Sequence, residues 1–208
     1  RSHWFKKEFP ERFVQMGVSE QALAAIAAGM SLAGKIPFIS SYAAFSPGRN
    51  WEQIRTTGCL QRANLKIAGA HAGVSVGPDG ATHQMLEDIA IMRVLPEMTV
   101  IVPCDAIETR KATIAAAKIK GPVYIRFARS GSPVFTTEGT PFKLGKAQVL
   151  RDGTDVALIG CGPLVYECLL AAEELAKLGI SARVINNASI KPMDEKTIIA
   201  AAKECGAI

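Results

Sequence analysis

LKIAGAHAGVSVGPDGATHQ, residues 65–84, is an apolar run that breaks into a glycine-rich loop. The first part, LKIAGA (65–70), has the length and composition of a short buried strand. The loop after it holds two of the chain's three histidines, His71 and His83, and one carboxylate, Asp79. Its reading depends on what lies on either side, because a loop at the carboxyl end of a parallel strand is where α/β proteins bind ligands.

Outward from this stretch the pattern alternates between strand and helix. Upstream, SEQALAAIAAGMSLAG (19–34) reads as a helix opened by Ser19 and stopped at Gly34. PFISSYA (37–43) reads as a strand, and the region around NWEQIRTTGCL (50–60) as a helix. Downstream, residues 82–94 read as helix and MTVIVP (98–103) as a buried strand. Asp105 and Glu108 form a D-x-x-E capping box opening a helix over 105–119, and PVYIRFA (122–128) is the next strand. RFVQMGV (12–18), near the start, also reads as a strand. Short apolar strands separated by helices predict an α/β fold, a parallel sheet with helices on both faces.

The turn-rich SGSPVFTTEGTPF (130–142) reads as a connection. We therefore expect a first α/β domain over 1–135, a linker over 136–144, and the start of a second α/β domain over 145–208. In the second, DVALIG (155–160) and ARVIN (182–186) are strands, with helices near 164–178 and 193–204. Two or three strands leave apolar surface uncovered, and CGAI at the end reads as a further strand beginning. The expectation is a second domain that is incomplete, in a longer protein missing parts at both ends.

Composition narrows the function classes. Hydrophobic residues make up 49% and charged residues 21%, which fits a soluble globular protein with a sizeable core. No apolar run reaches the roughly 18–20 residues that span a bilayer, and RSHWFKKEFPERF is no secretory start. Five cysteines without a C-x-x-C pair fit reduced thiols in a cytoplasmic protein. The net charge of +5 is spread along the chain without the stripe that nucleic-acid binding needs, and is compatible with phosphorylated small molecules.

Three specific chemistries can be weighed on the loop. GVSVG (73–77) has the G-x-S-x-G form of a nucleophile elbow around Ser75, but Pro78-Asp79-Gly80 prolongs the turn and no histidine follows His83. His71, Asp79 and His83 are metal-ligand types, yet their spacing matches no standard ligand motif. A surface loop with idle histidines and a ligand-binding loop both remain open on the residues alone. GCGPLV (160–165) has Val165 where a dinucleotide fingerprint needs its third glycine, and ARVIN lacks the acidic residue for a ribose hydroxyl, so it reads as a tight strand-to-helix turn.

Four segments together resemble the thiamine-diphosphate enzymes of the transketolase type: FPERFVQMGVSEQ (9–21), PFISSYAAFSPGR (37–49), AHAGVSVGPDGATHQMLEDIAIMR (70–93) and GPVYIRFAR (121–129). Their order is that of the family's pyrimidine-binding domain, and GKAQVLRDGTDVALIGCGPLVYECLLAAEELAKLGI (145–180) is similar to the start of its C-terminal domain. The resemblance implies that Glu20, in GVSEQ, is the carboxyl group that hydrogen-bonds the cofactor's pyrimidine nitrogen N1′. A dry surround favours the shared proton, while the helix N-terminus beside Ser19 favours the ionised carboxylate. It implies Phe45 as the stacking platform for that ring, with Tyr42 close by, an arrangement that adds about 0.5–1.5 kcal/mol beyond area burial.

For the loop, the resemblance implies a sugar site. His83 lies near the cofactor and the donor carbonyl and assists proton transfer. Asp79 accepts from the C2 hydroxyl of an aldose, and His71 with Arg129 holds a terminal phosphate, Arg126 being the alternative. An arginine occupies the His71 position in deoxyxylulose-phosphate synthases, and the β subunits of 2-oxo acid dehydrogenases lack GPDGATHQ. Transketolase fits best, with those two and a non-catalytic assembly subunit as rivals.

The family's G-D-G motif for the diphosphate and metal is absent here. The resemblance thus implies that this chain holds the pyrimidine half of thiamine diphosphate. A partner N-terminal transketolase subunit carrying G-D-G would hold the diphosphate with Mg2+ or Ca2+, the two forming a dimer of heterodimers that acts on sugar phosphates.

Overall fold

A computed structural model describes residues 2–208. In chain order its elements begin with α1 (Ser2–Glu8), a 3-10 turn at Pro10–Arg12, α2 (Glu20–Leu32) and β1 (Phe38–Tyr42). Next come α3 (Trp51–Gln53), running on as a π-helix over Ile54–Cys59, then β2 (Lys66–Ala70) and a 3-10 stretch at Val74–Asp79. α4 (Asp88–Arg93), β3 (Thr99–Ile101), α5 (Ala106–Lys118) and β4 (Val123–Arg126) continue the chain. The remainder comprises β5 (Gln148–Arg151), β6 (Val156–Gly160), α6 (Leu164–Lys177), β7 (Ala182–Asn186), β8 (Ser189–Lys191) and α7 (Glu195–Glu204).

The first sheet has the order β1-β2-β4-β3-β8, with β1 to β4 all parallel. Alternation along each strand sorts side chains between two faces. Ile67, Val100 and Tyr124 pack with Ala24, Ala27 and Ala28 of α2, with Ile54 and with Met92 of α4. Ile101, Val123 and Ile125 face the other way, onto Ala112 and Ala116 of α5. Both faces are covered, as the apolar strands predict. The alanines let α2 and α5 approach the sheet closely.

β8 comes from the second stretch of the chain and adds an antiparallel edge to this sheet beside β3. The second sheet, β5-β7-β6, is mixed: β7 is parallel to β6 and antiparallel to β5. α6 covers one of its faces through Ala172, and α7 the other through Ala201. Ala207 makes an isolated parallel bridge to Val156, beside β6. The GCGPLV turn lies where the two units meet, Gly162 donating to the Val102 carbonyl at 3.1 Å.

Two expected elements need correction. Residues 12–18 form no strand: Val14 and Val18 are exposed, Gly17 has φ +65°, and no neighbour pairs with the segment. Alternating apolar residues favour an extended chain, but a strand also needs a partner edge. The helix expected over 82–94 is confined to α4, because residues 81–83 turn and Met85 pairs with Gly73. Two strands went unread, β5 and β8, both short and carrying polar residues.

Two buried charges fasten the connections. Lys66 is fully buried and donates to Asn64 Oδ1 and to the carbonyls of Ile119 and Gly121 at 2.7–2.8 Å. Burial lowers its pKa to about 8. Asp105 caps α5 by accepting from the Glu108 amide, as the capping box predicts. Glu108 turns instead to the Cys104 amide and to Asn186 of β7. Asp105 also takes the Phe135 and Thr136 amides and the Thr136 hydroxyl, tying the segment after β4 to the helix start.

Burial pushes the Asp105 carboxyl up, but the hydrogen bonds from Glu108, Thr136 and Phe135 outweigh it and hold the group below the usual range. Its stabilisation is therefore complete above the unfolded-chain value of about 3.9 and is lost as pH falls through the lower folded value. Asp105→Ala should cost about 2–4 kcal/mol in urea denaturation near neutral pH, from a lost cap and further buried donors left unpaired. The gap from wild type should narrow as the pH falls below about 4. An undiminished gap there would contradict the carboxylate's role.

Candidate active site

The carboxyl ends of β1, β2 and β4 lie side by side, because the parallel register sets Tyr42 opposite Ala70 and Gly69 opposite Arg126. The segment after each of these strands projects from this rim. β1 turns tightly through residues 43–50, with Ser46 donating to the Tyr42 carbonyl and Arg49 to that of Phe45. β2 enters the glycine loop at His71, which has φ +58°. β4 leads to Arg126 and Arg129.

Four aromatic rings from two of these segments meet. His71 stacks on Tyr42 at 4.2 Å between centroids. His83 stands edge-on to Tyr42 at 5.7 Å and to Phe45 at 5.1 Å. The Tyr42 and Phe45 rings are nearly parallel at 6.2 Å. A hydrogen bond of 2.9 Å links the Thr82 hydroxyl to His83 Nδ1. Tyr42, Phe45, His71 and His83, singled out from the sequence, thus form one cluster of partly buried rings.

Glu20 opens α2 at the same rim, with its side chain only 8% exposed. Arg49 Nη1 donates to its Oε2 at 2.9 Å, and the same guanidinium lies over the Phe45 ring, 4.8 Å from the centroid. The buried Asn50 donates to the Glu20 carbonyl at 2.9 Å and to Ser46 Oγ at 3.2 Å, locking the β1 turn against the start of α2. Ser19, expected as the N-cap, makes no capping bond; its hydroxyl turns back to the Met16 carbonyl.

Asp79 and Arg129 are brought together with each other, Nη1 to Oδ2 at 2.5 Å, and Arg129 also donates to the Val76 carbonyl. Both are about one-third exposed, so their charges remain open to a ligand from solution. Arg126 is differently placed. Its Nε donates at 2.8 Å to Asp88, whose carboxylate is fully buried and also accepts from the Tyr124 hydroxyl at 2.7 Å. Burial, and then the adjacent Asp88 carboxylate, push the Tyr124 phenol well above its usual range, so it remains a donor.

Two glycines admit this arrangement. A Cβ on Gly69 would lie 2.2 Å from the Tyr124 hydroxyl oxygen, so only glycine lets that ring pass. Gly73, at φ +86°, lies against Arg126, whose Nη2 would be 3.2 Å from an added Cβ. Among the described residues, no three side chains of histidine, cysteine, aspartate or glutamate gather as a metal site. Ser75 lies exposed in the 3-10 stretch, not on a strand-to-helix elbow. Sequence reasoning missed Arg49, Asn50, Asp88 and Tyr124; the run SPGRN directly after SYAAF was the one local signal for the first two.

Residues 1–133 match the family model of the transketolase pyrimidine-binding domain, and residues 145–208 that of the transketolase C-terminal domain. A protein of Methanocaldococcus jannaschii described as a transketolase C-terminal section is 46% identical over 93% of this chain and 62% of its own length. One subunit of an apulose-4-phosphate transketolase of Phocaeicola vulgatus is 41% identical over 98% of this chain and 66% of its own. The chain thus spans slightly under two thirds of these relatives. A solved structure of a split-gene transketolase, an inactive β4 tetramer, superposes with a TM-score of 0.90 at 46% identity, covering 97% of this chain and 65% of that one.

The buried Asp88 makes a direct stability test. Asp88→Ala leaves the Arg126 guanidinium and the Tyr124 hydroxyl without their shared acceptor, and should lower the unfolding free energy by roughly 3–5 kcal/mol. Urea denaturation measures it. A loss within about 1 kcal/mol, the usual range of an exposed pair, would show that the network carries little.

Proposed function

The chain belongs to the transketolase family, and we propose that within it the chain is the C-terminal subunit of a split transketolase. With a partner subunit it transfers a two-carbon ketol unit from a ketose phosphate to an aldose phosphate. The partner, bearing the G-D-G motif, holds the diphosphate of thiamine diphosphate and a Mg2+ or Ca2+ ion, in a dimer of heterodimers. This chain holds the pyrimidine half. When bound, the cofactor supplies the carbanion chemistry, while protein groups bind and orient.

The observation that carries the reading is the meeting of Glu20 and Phe45 across a single guanidinium. A planar, nitrogen-rich group already satisfies a buried carboxylate and an aromatic face together, which is what an aminopyrimidine requires. Glu20 holds a proton against ring nitrogen N1′, and Phe45 stacks on the ring beside Tyr42. His83, edge-on to both platform rings, moves a proton at a substrate oxygen, the general acid–base role open to an imidazole. Asp79 accepts from the C2 hydroxyl. Arg129 and His71 hold the terminal phosphate, where a guanidinium can bind two oxygens.

The Phocaeicola relative acts, by its name, on apulose 4-phosphate, so the sugar is the least constrained part of the proposal. Asp79 and Arg129 sit close enough to pair; a phosphosugar bringing its own acceptor and donor would separate them.

Co-expression with a G-D-G-bearing partner tests the reading. The pair should show ketol transfer from xylulose 5-phosphate and ignore pyruvate, and this chain alone should be inactive. Turnover from pyruvate would favour a deoxyxylulose-phosphate synthase or 2-oxo acid dehydrogenase type, and full activity without a partner would defeat the split-subunit assignment. Glu20→Gln in the pair should reduce the rate by about 100-fold or more. Retained activity would point to a non-catalytic assembly subunit.

A further inference from the structure

Arg49 has no part in the function proposed above, yet it occupies that site's centre. Its guanidinium makes a 2.9 Å hydrogen bond to Glu20 and lies 4.8 Å over Phe45. We propose that Arg49 is a built-in substitute for the aminopyrimidine, holding the cradle in the cofactor-free chain and swinging out when the cofactor enters. The inference rests on the reading of Glu20 and Phe45 as the pyrimidine cradle.

The chemistry of the two groups is alike. A guanidinium is planar, stacks on aromatic faces and presents N–H donors to a carboxylate. An aminopyrimidine protonated at N1′ offers a flat ring for the same aromatic face and one N–H for the same oxygen. One face of Phe45 cannot hold both. The cofactor and the Arg49 side chain therefore exclude one another.

Burial decides which group moves. The Glu20 side chain is 8% exposed and opens α2, so it has nowhere to go. The Arg49 side chain is 50% exposed and can reach solvent by rotating about its own bonds. Its backbone is fixed: Arg49 N donates to the Phe45 carbonyl at 2.9 Å, and the next residue, Asn50, is fully buried and bonded to Glu20 and Ser46. The device is a hinged side chain on a rigid turn.

Such a substitute has two effects. It spares the empty chain a buried, unpaired carboxylate, which is costly. It also weakens apparent cofactor affinity by the fraction of molecules in which the site is closed. A half-exposed ion pair with one stacking contact is modest, so the weakening should be about three- to tenfold.

The test uses the full chain in complex with its G-D-G partner, titrated with thiamine diphosphate and Mg2+. Binding is followed by tryptophan fluorescence, since Trp51 lies two residues beyond Arg49. Arg49→Ala should tighten the cofactor dissociation constant about three- to tenfold, through a faster association rate, while lowering the melting temperature of the cofactor-free complex. Arg49→Lys keeps the charge and loses the planar stack, and should fall between. A residue that merely braced the fold would lower the melting temperature without tightening the cofactor. Unchanged or weaker cofactor binding in Arg49→Ala overturns the proposal. If the wild-type pair binds no thiamine diphosphate, the cradle reading fails and this inference falls with it.

Discussion

Asp88 places a carboxylate at zero exposure, and much of the rim is arranged to accommodate it. The charge is compensated by Arg126 from the end of β4 and by the Tyr124 hydroxyl two residues earlier on that strand. Tyr124 reaches it because Gly69 has no side chain, and Gly73 rests against the Arg126 guanidinium. β2, β4, the glycine loop and the start of α4 are thereby tied to a single carboxylate. Truncating one member of such a network leaves the others buried and unpaired, which is why it holds a loop in one place.

The glycine loop is thus supported from below by a network outside the proposed chemistry. His71 leaves β2 with a left-handed backbone and lands on Tyr42, and His83 returns from the far side of the loop to the edges of Tyr42 and Phe45. The rigid part of the site is what Asp88 and Asn50 hold. The exposed part, Asp79, Arg129 and Arg49, consists of charges that pair within the chain and are accessible to solvent. An aromatic floor with reassignable charges above it suits the binding proposed above.

The sequence disclosed the elements whose burial leaves a compositional trace. β1 to β4, β6 and β7 are apolar runs bounded by turn formers, and their alternation with helices was enough for a parallel sheet covered on both faces. β8 is three residues before a proline, and its membership of the first sheet is a long-range pairing no local pattern encodes. Residues 12–18 show the converse, an alternating stretch with no edge to join. Met85 belonged in the apolar set read as helix 82–94, but its pairing with Gly73 removed it. Of the site, the ring and loop residues were legible only through the family resemblance, since spacing alone left the histidines undecided. Arg49 and Asp88 could not be read. A charged residue in a turn or at a helix start is ordinarily a solvated one, and only the fold shows that one lies against Glu20 and Phe45 and the other beneath the loop.

The central claim is that Glu20 and Phe45 together form the seat of a pyrimidine ring. The most direct measurement is a crystal structure of this chain with its partner subunit and thiamine diphosphate. The account predicts a Glu20 carboxyl oxygen within about 3 Å of the ring nitrogen, at hydrogen-bond distance, with the ring lying on Phe45. A cofactor seated elsewhere, with Glu20 still bound to Arg49, would contradict it.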